Sequence, residues 1–169
     1  MAARAAPTLP RRKIPASQLL EALSARFPLR FALPGWVELE VGAPALLLLA
    51  RRNKLGAVLQ LEAKAPTLRD PAAGEVDVLF ALRYEPTDRT VRAHQPEAHR
   101  VHVPGLGQDA TYAIENATRA LLSRMRGDVV LHRFTDRELA LPDVMGFEPG
   151  NLIVLEDGLD IEFVPKQRP

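Results

Sequence analysis

Glu75-Val76-Asp77-Val78-Leu79-Phe80-Ala81-Leu82-Arg83-Tyr84 is the stretch on which the fold turns. Val76, Val78, Phe80, Leu82 and Tyr84 recur at every second position, and on an extended chain such side chains share one face. The stretch predicts a strand with one apolar face that needs a cover. Upstream, Leu55, Ala57, Leu59, Leu61, Ala63 and Ala65 alternate with Gly56, Val58, Gln60, Glu62 and Lys64. From Trp36 to Leu49, Val37, Leu39 and Val41 alternate with Glu38, Glu40 and Gly42, and Thr90 to Val103 makes a fourth run. Polar turns at Arg51-Arg52-Asn53-Lys54 and Glu85-Pro86-Thr87-Asp88 separate the runs. Pro44 interrupts the first, which implies a bulge or an edge position because proline has no amide donor. Runs of roughly ten to fourteen residues are about twice the usual strand length. Long neighbours joined by short turns must twist, so a curved antiparallel meander is expected.

Two helices flank this region. Leu19, Leu20, Leu23 and Phe27 recur at helical spacing, with Ser17 available as N-cap and Pro28 as the stop. Beyond Gly105-Leu106-Gly107, Asp109 to Arg126 predicts a second helix with Ala110, Ala113, Ile114, Ala117, Leu121 and Met125 on its apolar face, Leu122 beside it, and Gly127 as C-cap. At roughly 27 Å it matches the reach of the strands. A short strand, Val129 to Phe134, follows, then an unassigned segment from Asp136 to Met145. Asp157-Gly158 marks a terminal hairpin between Asn151–Leu155 and Leu159–Val164. The expected fold is α+β: a long curved antiparallel sheet wrapped around a long central helix, with an N-terminal helix. Residues 14–166 read as a single domain, and residues 1–13 as a disordered or extended tail.

Composition narrows the function. The 22 basic and 21 acidic residues nearly cancel, which gives no electrostatic case for nucleic acid. Arg4, Arg11, Arg12 and Lys13 gather before the folded pattern and read as a solvated tail. There is no cysteine, so disulfides, thiolate metal sites and cysteine nucleophiles drop out. No run of 18 apolar residues exists to span a membrane as a helix. His94, His99, His102 and His132 stand without metal-site spacing and read as exposed strand histidines. The carboxylates are scattered, and no GxSxG, P-loop or GxGxxG is present. Neither an enzyme nor a cofactor is expected. Ala3-Arg4-Ala5 has the A-x-A form that precedes signal-peptidase cleavage and reads as the stump of an export signal, with Met1 supplied for expression.

What remains is apolar surface. A sheet curled lengthwise round a helix can leave a furrow, here expected to be lined by Leu59, Leu61, Val78, Phe80, Leu82, Ile114 and Leu121. A lipid or fatty acyl ligand suits such a lining, with little dependence on salt or head group. The alternative is a structural or protein-interaction domain without a small-molecule ligand.

The order of elements resembles the YceB-like lipoproteins of the Gram-negative envelope. The likeness rests on Ser17-Gln18-Leu19-Leu20, on Phe27-Pro28, on the meander and second helix, and on Phe147-Glu148-Pro149-Gly150-Asn151-Leu152-Ile153-Val154. It covers about residues 14 to 165. It implies half of a tubular lipid-binding protein, a periplasmic location and association with a membrane surface. The lipidated cysteine typical of that family is missing from this sequence.

Overall fold

In chain order the elements are β1 (Arg11–Pro15), α1 (Ala16–Ser24), β2 (Leu29–Leu33), β3 (Val37–Leu49), a 3-10 turn (Ala50–Arg52), β4 (Lys54–Lys64), β5 (Ala72–Glu85), β6 (Thr90–His102), α2 (Gln108–Arg124), β7 (Val129–Arg133), α3 (Asp136–Val144), β8 (Phe147–Leu155) and β9 (Gly158–Pro165). The structure, a computed structural model, describes residues 9–33, 36–66, 68–105, 107–124 and 128–167.

Six strands form one curled antiparallel sheet in the order β2-β3-β4-β5-β6-β7, so neighbours in space are also neighbours in sequence. The alternation that predicts β4 and β5 is realised in burial. Leu55, Ala57, Leu59, Leu61 and Ala63 of β4 are buried, as are Val76, Val78 and Phe80 of β5. Register shifts in the β3–β4, β5–β6 and β6–β7 pairings bend the sheet, because a bulge raises local twist. The β3–β4 register shifts between Val41 and Pro44, just past the last residue that β2 pairs. Pro44 therefore sits both at a bulge and on an edge, where a missing amide donor costs little. The β5–β6 register shifts between Leu79 and Ala81, opposite Gln95 and Pro96, beyond the end of the β7 pairing.

The expected long central helix is not found. Among the described residues the molecule is mostly β, with three short helices and no long central helix wrapped by the sheet. α2 lies along β6 at the margin of the sheet. Ala113, expected inward, is exposed, and the buried positions are Thr118 and Leu122, with Ile114 half-buried one turn earlier. This seam is too narrow and too polar to fill a trough. Thr118 is tolerated in it because its hydroxyl donates to the Ile114 carbonyl at 2.8 Å. Met125 to Gly127, read as the helix end and cap, lie outside the described residues, as do the side chains of Ala110 and Leu121. The trough is filled instead by the short α1, whose Leu19 and Leu23 are fully buried between β3 and β7.

The second sheet, β1-β9-β8, closes one end of the molecule. Residues 11–13, assigned from sequence to the tail, form the first part of β1. Their exposed charges are paired: Arg11 with Asp160 and Glu162, Arg12 with Glu138, Lys13 with Asp157. Gly158 lets β1 approach, since a Cβ there would stand 2.3 Å from the Ile14 carbonyl oxygen. Phe134 joins the sheets through edge-on contacts with Tyr84 of β5 and Phe163 of β9, at 5.9 and 6.1 Å between centroids. Asn53, in the left-handed conformation (φ 50°), caps the outer edge of β8: its side chain donates to the Leu152 carbonyl at 2.9 Å and accepts from the Val154 amide at 2.6 Å.

Candidate functional site

The concave face of the larger sheet carries a narrow cleft beside the C-terminal end of α1. Cross-strand register builds its floor: Val41 stands opposite Leu61, and Leu59 opposite Val76. Leu39, Val78 and Phe80 extend the floor, and Leu29 and Phe31 of β2 form one wall. Leu23 from α1, Phe27 just after it, Leu122 from α2, Val129 from β7 and Pro96 from the β6 bulge close the remainder. Among the described residues, only two in the lining are polar, Thr118 and Arg26. The Thr118 hydroxyl is spent on Ile114, and Arg26 is the one charge in the lining among the described residues.

Of the seven residues expected to line a furrow, the cleft brings together four: Leu59, Leu61, Val78 and Phe80. Leu82 and Ile114 are half-buried and pack on the core outside the lining. The Leu121 side chain lies outside the described residues. Sequence reasoning missed the contributions of β2, of β3 and of α1. Leu39 and Val41 carried the right alternation, but only the register places them beside Leu61. The cleft is tight, with a cavity of about 40 Å³. An apolar cavity of about 150 Å³ accommodates benzene, so the closed form admits no more than the end of a chain.

Arg26 is exposed and donates from Nη2 to the Asp128 carbonyl at 2.8 Å. The Asp128 carboxylate is engaged elsewhere, accepting from Arg83 at 2.6 and 3.1 Å. The hydrogen bond from Arg83 is the largest of the effects that hold its pKa below the usual carboxylate range.

A second polar constellation ties elements together. His132, expected on an exposed surface, is nearly buried: Gln18 of α1 contacts its Nδ1 at 2.8 Å, and Glu138 of α3 its Nε2 at 3.0 Å. Burial pushes the Glu138 carboxyl up, but the Thr135 amide, His132 and Arg12 outweigh it, and its pKa is lowered. The Thr135 hydroxyl also donates to Glu138 at 3.2 Å, and the cluster links α1, β7, α3 and β1. Among the described residues, no group of three His, Cys, Asp or Glu is placed to hold a metal ion, and no helix is long and apolar enough to cross a membrane. No protein-family model matches the chain, and comparison with curated proteins gives no significant match.

Proposed function

We propose that this chain is a non-enzymatic protein of the bacterial envelope that binds an apolar, acyl-like ligand in the cleft between α1, α2 and the curled sheet. One observation carries the reading: apart from Arg26 and Thr118 the described lining is apolar, and the Thr118 hydroxyl is satisfied internally. Such a surface gains from covering by hydrocarbon, at about 0.8 kcal/mol per buried methylene, and offers no group for chemistry. The closed cavity is small, so the ligand needs a wall that moves. α2 suits that role, because among its described side chains only Thr118 and Leu122 are buried. The envelope location, the export signal and the kinship with YceB-like lipoproteins belong to the same proposal, supported by Ala3-Arg4-Ala5 and by the order of elements. Titration with a fluorescent long-chain fatty acid tests the binding. Saturable binding by the wild type, lost in Phe80→Trp without loss of the folded spectrum, is the expected result. Absence of saturable binding by the wild type defeats it.

A second reading, a protein-interaction domain, is favoured by α3. Leu141, Val144 and Met145 are exposed together at its C-terminal end, where apolar side chains gain from a partner.

A further inference from the structure

The cleft has a polarity along its length, and that polarity specifies the ligand's other end. Its walls are mainly hydrocarbon, whereas the one charge among its described lining residues, the Arg26 guanidinium, stands exposed just beyond the last turn of α1. A guanidinium presents five N–H donors. One reaches the Asp128 carbonyl, and no carboxylate is paired with Arg26 among the described ion pairs. The obvious competitor is the Asp128 carboxylate itself. It is held by Arg83, with Arg92 at 3.8 Å, and those two arginines face it from β5 and β6. His94 adds a further favourable influence on the same carboxylate. An arriving anion thus meets Arg26 with donors to spare and a neighbouring acid already countered.

We infer that the cleft takes a single-chain amphiphile with a carboxylate head, the tail under α2 and the head on Arg26. The inference rests on the apolar-ligand reading of the same cleft and adds the head group to it. It also departs from the sequence-based expectation of weak head-group discrimination, because no periodicity could have placed Arg26 at this rim. A planar carboxylate accepts two parallel N–H bonds from one guanidinium, which an alcohol head cannot reproduce. Because Arg26 is exposed, water and salt weaken the attraction, so the preference is moderate.

The test compares a fluorescent long-chain fatty acid with the fatty alcohol of equal length, on wild type, Arg26→Gln and Arg26→Lys. Wild type should bind the acid about five- to tenfold more tightly than the alcohol, and added salt should narrow the gap. Arg26→Gln should abolish the preference with alcohol affinity unchanged, and Arg26→Lys should retain part of it. Equal affinity of the wild type for acid and alcohol overturns the head-group assignment and leaves the cleft standing. So does a preference that survives in Arg26→Gln. If neither ligand binds the wild type, the cleft reading itself falls and the head group with it.

Discussion

Arg83 and Arg92 stand directly opposite each other on β5 and β6, and the carboxylate of Asp128 lies between them. Like charges paired across strands repel, and here the repulsion is countered from a third segment, the residue before β7. Asp128 accepts from Arg83 at 2.6 and 3.1 Å and lies 3.8 Å from Arg92. Each arginine has a second acid, Glu85 at 2.7 Å from Arg83 and Asp88 on Arg92. The start of β7 is thereby pinned over the β5–β6 hairpin.

Acid should release that pin. The pKa of Asp128 is lowered chiefly by the bond from Arg83, that of Glu85 by the Thr87 hydroxyl, and that of Asp88 by the Thr90 hydroxyl. A carboxyl depressed in the folded state contributes stability that is present above its unfolded value, about 4, and is lost as pH falls through the folded value. The melting temperature should therefore drop progressively below about pH 4. Asp128→Asn should melt lower at neutral pH and show a shallower acid decline. An acid limb as steep in the variant as in the wild type would exclude Asp128 as a contributor.

Asn53 supplies two bonds to the edge of β8 from a left-handed backbone. Asn53→Ala leaves the Val154 amide and the Leu152 carbonyl without these partners and strains the turn, at a cost of about 1–3 kcal/mol. Asn53→Gly should recover only the backbone part. Urea denaturation separates the two contributions. Variants indistinguishable from wild type would mean that water replaces the side chain fully.

Gly158 faces the backbone of β1, with no flexible side chain to give way. Gly158→Ala should separate β1 from β9. Hydrogen exchange should then quicken at Arg12, Ile14 and their neighbours while the β3–β6 amides stay protected. Uniform acceleration across both sheets would show instead that the two unfold as one unit.

Leu23 is buried and lines the cleft. Leu23→Ala should cost about 2–5 kcal/mol and leave a larger cavity. A fatty acid should raise the melting temperature of the variant more than that of the wild type, since added space admits more of the chain. An equal rise in both proteins would place the ligand elsewhere.

The sheet was legible in the sequence and its cover was not. Alternation at Leu59, Leu61, Val76 and Val78 depends on strand geometry alone, so it marks the buried face without reference to the rest of the chain. Pro44 announced its bulge for the same reason. Which helix fills the trough is a tertiary matter: Leu19 and Leu23 carry no more helical periodicity than Ile114 and Leu121. The inward turn of Thr118 depends on a bond to its own helix that composition does not reveal. α3 left a readable signal that the sequence reading passed over. Thr135 and Glu138 have capping-box spacing, and both reciprocal bonds are made. Most of the observed lining was missed because register, not pattern, decides that Val41 neighbours Leu61 and that Pro96 turns inward.

The latch between β1 and β9 sets an order of events. Arg11 and Glu162 are 151 positions apart, whereas the meander from β2 to β6 pairs each strand with the one just made. Local pairings close short loops and form early, and distant ones wait for the chain to be brought together. A growing chain can thus assemble its curved sheet while its first strand is still without a mate. Pulse-labelled refolding should find the β3–β5 amides protected before those of β1, so that the molecule is fastened, last of all, at its two ends.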